Sequence, residues 1–206
     1  IANFEEVHDC SQSGAGSSHI FNSIINEIET NNAITPDNTL VICMWSGLTR
    51  TDTIATRDIT KPHHQMSNYD FDDKFSTLSI FNHNSGDSPV DEMSRQYKKI
   101  VDVNAQIYES CLKIIALDAY LKHTGFTSVF TSWQDPGPDL LQLTSGIKDL
   151  VKNKFDKIQF LGNYAKENNL LEPDGHPNPI GYLAWTREYL VPFLVESNLA
   201  TNPNTI

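Results

Sequence analysis

The sequence predicts one α/β domain over residues 1–206, built as a three-layer α/β/α sandwich with a mainly parallel sheet. Three observations favour this fold class. Predicted strands alternate with predicted helices, the strand over 39–45 is a continuous run of apolar and β-branched residues, and neither a repeat nor a linker divides the 206 residues. A hydrophobic content of 39% is also ordinary for a globular protein.

The first predicted unit is a strand, a helix and a second strand. Residues 4–10 are expected to form a short strand that leads into a turn of small residues. Apolar residues then recur at helical spacing, with Ser17 or Ser18 as the N-cap of the helix. The run over 39–45 is typical of a strand buried on both faces. Together these elements predict a right-handed βαβ unit with parallel strands.

The middle of the chain is predicted to leave this pattern. Residues 51–89 are rich in Asp, Asn, Ser and His, so we expect an irregular insertion with a short strand over 78–81. An apolar stripe over 93–121 then predicts a long helix that ends at Gly125.

The last third of the chain is predicted to return to strand and helix. Residues 126–133 are expected to form the next strand. One or two helices are expected between 139 and 168, and a final helix over 183–195.

The charge of the chain limits its partners. A net charge of −11, from 15 basic and 26 acidic residues, argues against nucleic acid, because phosphate binding needs a basic surface. It is compatible with a neutral or sugar-like substrate. No apolar run reaches transmembrane length and no signal peptide is visible, so we expect a soluble protein that enters no membrane. Its location stays open between a virion and the cytoplasm.

Cysteine and histidine usage predicts neither a disulfide framework nor a metal site. Cys10, Cys43 and Cys111 are far apart in the sequence, so we expect unpaired thiols. His63 and His64 are adjacent and point in different directions, without a second histidine at helical spacing. We expect a solvated loop there, and no cofactor.

The strongest functional candidate is the loop Asp174-Gly175-His176-Pro177, which precedes the final helix. Its Asp can place a carboxylate against one imidazole nitrogen and leave the other nitrogen free to accept a proton from a hydroxyl. Its glycine permits close approach of a substrate, and its proline stiffens the backbone. The alternative is a plain turn in which Asp174 caps a helix and His176 is a surface residue.

A second candidate is the turn that holds Gly14 and Gly16, at the start of the first helix. The first N–H groups of a helix have no intrahelical acceptor, so they can stabilise an oxyanion. The alternative is a glycine-rich turn with a serine cap.

A third candidate is the polar segment that follows the strand over 39–45. Polar groups and a guanidinium that leave a buried strand are typical of substrate contacts. The alternative is that the arginine pairs with a surface carboxylate. We expect all three loops to meet at one edge of the sheet, where ligands of parallel sheets bind. The residues of this third candidate are Trp45, Ser46, Gly47 and Arg50.

The order of these blocks resembles the SGNH (GDSL-type) hydrolases, a flavodoxin-like superfamily, over nearly the whole chain. The Trp-Ser-x-x-x-Arg block is similar to divergent members from phages and other viruses. The resemblance implies that His176 is the catalytic base, that Asp174 orients it, and that Gly14 or Gly16 lends an N–H to the oxyanion. The residues that match the third block are Trp45, Ser46 and Arg50.

Two positions depart from the pattern of the family. One residue separates Asp174 from His176, where the family has two. The third-block asparagine is also replaced, which leaves its oxyanion contact unassigned.

The nucleophile of the family is a serine in a Gly-Asp-Ser turn, ahead of the glycine that Gly14 matches. Only residues 1–13 precede that glycine, and a strand with its crossover needs about a dozen residues or more. We therefore expect the serine upstream of Ile1 or on another polypeptide, unless the protein has none. Gly86-Asp87-Ser88 spells the tripeptide, but its serine precedes a proline, as helix N-caps often do.

The resemblance implies a serine esterase that hydrolyses an ester, with deacetylation of a carbohydrate as the expected reaction. The alternative is a non-catalytic SGNH-like domain of a virion, with a structural role or a role in binding a carbohydrate or receptor beside other virion proteins. A serine upstream of Ile1 would favour the enzyme.

Overall fold

A computed structural model describes residues 6–11, 16–54, 75–79, 95–96, 99–155, 158–173 and 175–200. The elements in chain order are α1 (Ser17–Thr30), β1 (Leu40–Trp45), β2 (Arg50–Ile54), β3 (Phe75–Ser79), α2 (Val103–Thr124), β4 (Thr127–Ser132), α3 (Gly137–Leu140), α4 (Ser145–Lys152), α5 (Leu161–Glu167), α6 (Pro179–Trp185) and α7 (Val191–Glu196). A π-helical turn, Thr186–Leu190, joins the last two helices.

The centre of the described fold is a pair of parallel strands, β1 and β4. Their register runs from Leu40 opposite Thr127 to Trp45 opposite Ser132, so the strands begin and end together. Both strands were predicted to within one residue at each end. The mixed α/β class is therefore confirmed, but two parallel strands are too few to show the three-layer sandwich, which stays a prediction.

Alternate side chains of β1 enter two separate apolar clusters, as the two-residue period of a strand dictates. Cys43 and Trp45 pack in a cluster with residues of α1, α2 and α4. Leu40 and Met44 pack against a second cluster, from α5, α6 and α7. Helices thus pack against both faces of β1, which explains why its sequence is apolar without alternation, although Ile42 stays 41% exposed.

The strand expected over 4–10 is wrong as far as it can be followed. Residues 6–10 have no regular structure. Val7 is 82% exposed, so this segment buries no apolar face, and an unsupported strand is not stable. Residues 1–5 lie outside the described part of the chain.

The region expected to be irregular, 51–89, contains an antiparallel strand pair, β2 with β3. The short strand expected over 78–81 is β3, which begins three residues earlier, at Phe75. The polar sequence of β2 does not predict a strand, so β2 is recognised only by its pairing with β3. Two motifs of this region, His63-His64 and Gly86-Asp87-Ser88, lie outside the described residues.

Both ends of α2 follow the local capping rules. Asp102 caps α2 by accepting the N–H groups of Asn104 and Ala105 at 2.9 and 3.3 Å. The predicted end at Gly125 is confirmed, with a left-handed φ of 85°. The start of α1 differs from the prediction, because its N-cap is Gly16 and not Ser17 or Ser18.

The remaining helices lie in the predicted regions but begin at other residues than expected. The helix expected from residue 93 begins at Val103, although residues 95–96 and 99–100 are also helical. The region between 139 and 168 holds α4 and α5, with the short α3 at its start. The final helix begins earlier than expected, at Pro179.

Cys10, Cys43 and Cys111 form no disulfide, as predicted. Burial raises the pKa of the Cys111 thiol to about 12, and it also raises the pKa of the Cys43 thiol. Both buried thiols are therefore protonated at neutral pH and unreactive. Separately, none of the helices that the structure describes is long and apolar enough to cross a membrane.

One buried carboxylate ties α2 to the end of α4. Asp118 is 7% exposed and accepts hydrogen bonds from Lys122, at 2.9 Å, and from Lys154. Burial alone would raise the pKa of Asp118, but the two ammonium groups outweigh it and hold that pKa below its ordinary value. The carboxylate form is therefore favoured by the fold.

We expect Asp118→Asn to lower the free energy of unfolding by about 1–3 kcal/mol at pH 7. Because the folded-state pKa is depressed, this stabilisation is complete above about pH 4 and is lost as the pH falls through the folded-state pKa. Denaturant unfolding of both proteins from pH 7 to pH 2.5 should show the difference between them shrinking. The exposed Asp149→Asn is the control, and an Asp118→Asn difference that stays constant with pH would contradict the assignment.

Candidate functional site at the carboxyl edge of the sheet

The carboxyl edge of the sheet, where β1 and β4 end together, is fixed by one carbonyl. The oxygen of Trp45 accepts the backbone N–H of Trp133 at 2.9 Å and the hydroxyl of Ser132 at 3.2 Å. The segments that leave the two strands therefore start side by side. Two of the predicted site segments can be located from this point.

The described residues of the His176 loop, 171–173 and 175–177, are closed into a hairpin by backbone hydrogen bonds. The N–H of Glu172 donates to the carbonyl of His176 at 2.6 Å, and the N–H of Asn178 donates to the carbonyl of Leu170 at 2.8 Å. Gly175 turns the chain with a φ of 87°, a conformation that favours glycine. The backbone on both sides of the histidine is therefore held before any ligand binds.

The imidazole of His176 lies against the indole of Trp133, with ring centroids 5.3 Å apart and planes tilted by 35°. Since Trp133 directly follows β4, this contact places the histidine at the carboxyl edge. The His176 side chain is exposed to solvent, as a proton acceptor for a substrate must be. Asp174 lies outside the described residues, so its distance from His176 stays a prediction.

The first turn of α1 is held against the same edge. Its N-cap, Gly16, has no side chain with which to cap the helix. The hydroxyl of Ser17 instead donates to Ser110 Oγ of α2 at 2.9 Å. Helix N–H groups that no cap satisfies can stabilise an anion. Gly14 lies outside the described residues.

The β1 turn, residues 46–49, follows Trp45. It closes where the N–H of Arg50 donates to the carbonyl of Gly47 at 3.1 Å. Ser46 Oγ and Trp45 Nε1 are buried, and the described residues offer neither a hydrogen-bond partner. An added Cβ on Gly47 would lie 3.4 Å from the side-chain nitrogen of Gln134, so this turn also adjoins the segment after β4.

Two routes of contact thus meet at the β1 turn. One runs from Ser17 through Ser110, whose hydroxyl donates to the carbonyl of Leu48 at 2.8 Å. The other runs from His176 through Trp133 to the carbonyl of Trp45. The described parts of the three predicted loops, at Gly16–Ser17, at the β1 turn and at His176, are therefore connected to one edge, while their catalytic roles remain predictions.

Several residues of this edge were not predicted from the sequence. Trp133 could have been found, because it ends a predicted strand just as Trp45 does. Ser110 also had a signal, since it is a polar residue beside Ile107 and Cys111 on an apolar helical stripe. Nothing in the sequence pointed to Gly162, because its role depends on a contact with Trp133 that local sequence does not show.

Gly162 fixes the position of Trp133 by a backbone contact. Its N–H, in the first turn of α5, donates to the carbonyl of Trp133 at 2.6 Å. A Cβ at this position would lie 2.8 Å from that oxygen and within 3.4 Å of the indole ring. Only glycine permits this approach, so Gly162 determines where the indole under His176 lies.

Comparison of the chain with protein-family models, with curated proteins and with solved structures gives no match. The assignment of a function therefore depends on the residues and contacts of this edge.

We expect Gly162→Ala to lower the free energy of unfolding by about 1–3 kcal/mol, because the new Cβ clashes with the carbonyl of Trp133. The matched control is Gly146→Ala in α4, where an added Cβ meets nothing within 4 Å. That change should be neutral or stabilise the protein by up to about 1 kcal/mol. Thermal or denaturant unfolding measures both, and equal effects at the two glycines would contradict the close approach at Gly162.

We expect Gln106→Leu to raise the free energy of unfolding by about 1 kcal/mol. Gln106 is 5% exposed, and in the described structure neither its amide nitrogen nor its amide oxygen has a hydrogen-bond partner. An apolar side chain of similar size removes that cost. Thr131→Val, which removes another buried hydroxyl without a described partner, should have the same sign. A loss of stability in Gln106→Leu, measured by denaturant unfolding, would show that the amide is satisfied.

Proposed function

We propose that this protein is an SGNH-like serine esterase that removes acetyl groups from a carbohydrate, with His176 as the general base. The observation that carries the proposal is the position of His176. A closed backbone hairpin holds it, and it lies on Trp133 at the carboxyl edge of a parallel strand pair. Ligands of parallel sheets bind at this edge.

The reaction would follow the usual order of acyl transfer. A serine hydroxyl attacks the ester carbonyl while His176 takes its proton, and His176 then returns that proton to the departing sugar oxygen. Water hydrolyses the acyl-enzyme by the same two steps. Asp174 would hold the imidazole in the tautomer that accepts the serine proton.

The charge that develops on the carbonyl oxygen needs hydrogen-bond donors. The first turn of α1, after Gly16, and the β1 turn at Ser46 and Gly47 would supply them. Both elements lie at the carboxyl edge through the contacts of Ser110 and Leu48. Trp45 and Arg50 would then contact the sugar. A neutral sugar also suits a protein with a net charge of −11.

The proposal requires a serine. The edge of β1 that faces away from β4 could accept a further strand that carries it. Among the described residues β1 pairs with β4 alone, although its sequence is that of an inner strand. Ile42, at the centre of β1, is 41% exposed. We place the attacking serine at the end of a further parallel strand along this edge, as the SGNH resemblance implies. That strand would also extend the sheet of the proposed α/β/α sandwich.

The open edge of β1 also favours a second candidate function. A non-catalytic SGNH-like domain of a virion could accept a strand from a neighbouring virion protein at the same place. Such a domain would keep the carbohydrate-binding or receptor-binding surface without turnover.

We expect His176→Ala to lower kcat for acetyl-ester hydrolysis by about 10²–10⁴-fold, because the serine loses its proton acceptor. The assay uses the full-length protein with p-nitrophenyl acetate and with acetylated xylan. His123→Ala is the matched control, since His123 is also exposed but lies in the last turn of α2, at the opposite end of the strands. Absence of turnover by the wild type, or equal turnover by wild type and His176→Ala, would favour the non-catalytic domain.

A further inference from the structure

We propose that Ser110 is a positioning residue that holds the two oxyanion-binding elements, the first turn of α1 and the β1 turn, at a fixed distance from each other. This inference rests on the proposed function for the role of those elements. The contacts themselves belong to the fold and can be measured separately.

The hydroxyl of Ser110 joins three elements in one chain of hydrogen bonds. It accepts from Ser17 Oγ at 2.9 Å and donates to the carbonyl of Leu48 at 2.8 Å. A serine hydroxyl has one proton, so the proton given to Leu48 leaves Ser110 as the acceptor for Ser17. Ser17 and Ser110 are each 2% exposed and Leu48 is 1% exposed, so water does not compete for these bonds.

The position of Ser110 along α2 matches the height of the carboxyl edge. Helix α2 ends at Thr124, just before β4 begins, and its Ser110 bonds to Leu48 just beyond the end of β1. From Ser110 to Thr124 the helix rises about 21 Å. The strand β4 spans about 17 Å from Thr127 to Ser132, and a short connection separates it from Thr124. Ser110 therefore lies level with the ends of the strands, where the β1 turn begins.

No other described hydrogen bond ties the first residue of α1 to the β1 turn. Gly16 cannot cap its helix with a side chain, and the hydroxyl of Ser17 is directed to Ser110 and not to the helix backbone. Leu48 follows Ser46 and Gly47, so a bond to its carbonyl restrains the whole turn. Ser110 is thus the hydrogen-bonded link between the first residue of α1 and the β1 turn.

This restraint matters most in the transition state. Oxyanion donors act only when they lie about 2.7–3.1 Å from the position that the charged oxygen will occupy. Small displacements of such groups lower the rate of the chemical step more than they weaken binding of the substrate. Loss of Ser110 should therefore act on kcat and leave KM nearly unchanged.

The first experiment compares kcat and KM for p-nitrophenyl acetate in a set of variants of the full-length protein. We expect Ser110→Ala to lower kcat by about 10–100-fold with KM changed less than about threefold. Ser17→Ala, which breaks one of the two bonds, should lower kcat less, and Ser110→Thr, which keeps the hydroxyl, should retain most of it.

The control for this set is Ile114→Val, one turn further along α2 in the core. It should lower the free energy of unfolding by about 0.5–1.5 kcal/mol without a change in kcat. If Ser110→Ala lowers kcat no more than Ile114→Val does, the positioning role is overturned.

The second experiment is amide hydrogen exchange, which needs no turnover. Ser110→Ala should raise the exchange rates of the first turn of α1 and of residues 46–50 together, whereas Ile114→Val should not. If the wild type has no esterase activity, the proposed function fails and the exchange data decide the inference alone. Unchanged exchange in both segments of Ser110→Ala or, should that variant not fold, of Ser17→Ala overturns it.

Discussion

The carbonyl of Trp45 is the interaction on which the candidate site depends. By accepting both the N–H of Trp133 and the hydroxyl of Ser132, it continues the ladder of β1 and β4 one step beyond the last strand residue. The two chain segments then leave the sheet at the same height. His176 reaches this height through Trp133, and α1 reaches it through Ser110. If the two strands did not end together, these contacts would not place His176 and the first turn of α1 at the same edge of the sheet.

Local sequence predicted those parts of the fold that local energetics determine. The run over 39–45 is short, apolar and rich in β-branched residues, which favours a strand covered on both faces over a buried helix. Gly125 was predicted to end α2, since glycine adopts the left-handed conformation without steric cost. The thiols of Cys43 and Cys111 were predicted to be unpaired because the cysteines are far apart in the sequence.

The missed features are those in which a distant contact overrides a local preference. Serine is a preferred N-cap residue, but the hydroxyl of Ser17 binds Ser110, which lies 93 residues away in the sequence. The segment over 4–10 has the composition of a strand, but residues 6–10 have no strand neighbour in the described structure. The site shows the same division: Trp45 was named from its place at the end of a predicted strand, whereas the contact of Gly162 with Trp133 leaves no trace in local sequence.

The closed His176 hairpin has a consequence for how this loop can diversify. Its two ends are joined by the bond from Glu172 to His176, and Gly175 makes the return turn between them. Added or deleted residues inside that interval would shift the imidazole off the Trp133 ring, whereas side-chain replacements at Pro173 leave the backbone closure intact. Evolution can therefore alter the chemistry presented beside the histidine more readily than the length of the segment that presents it.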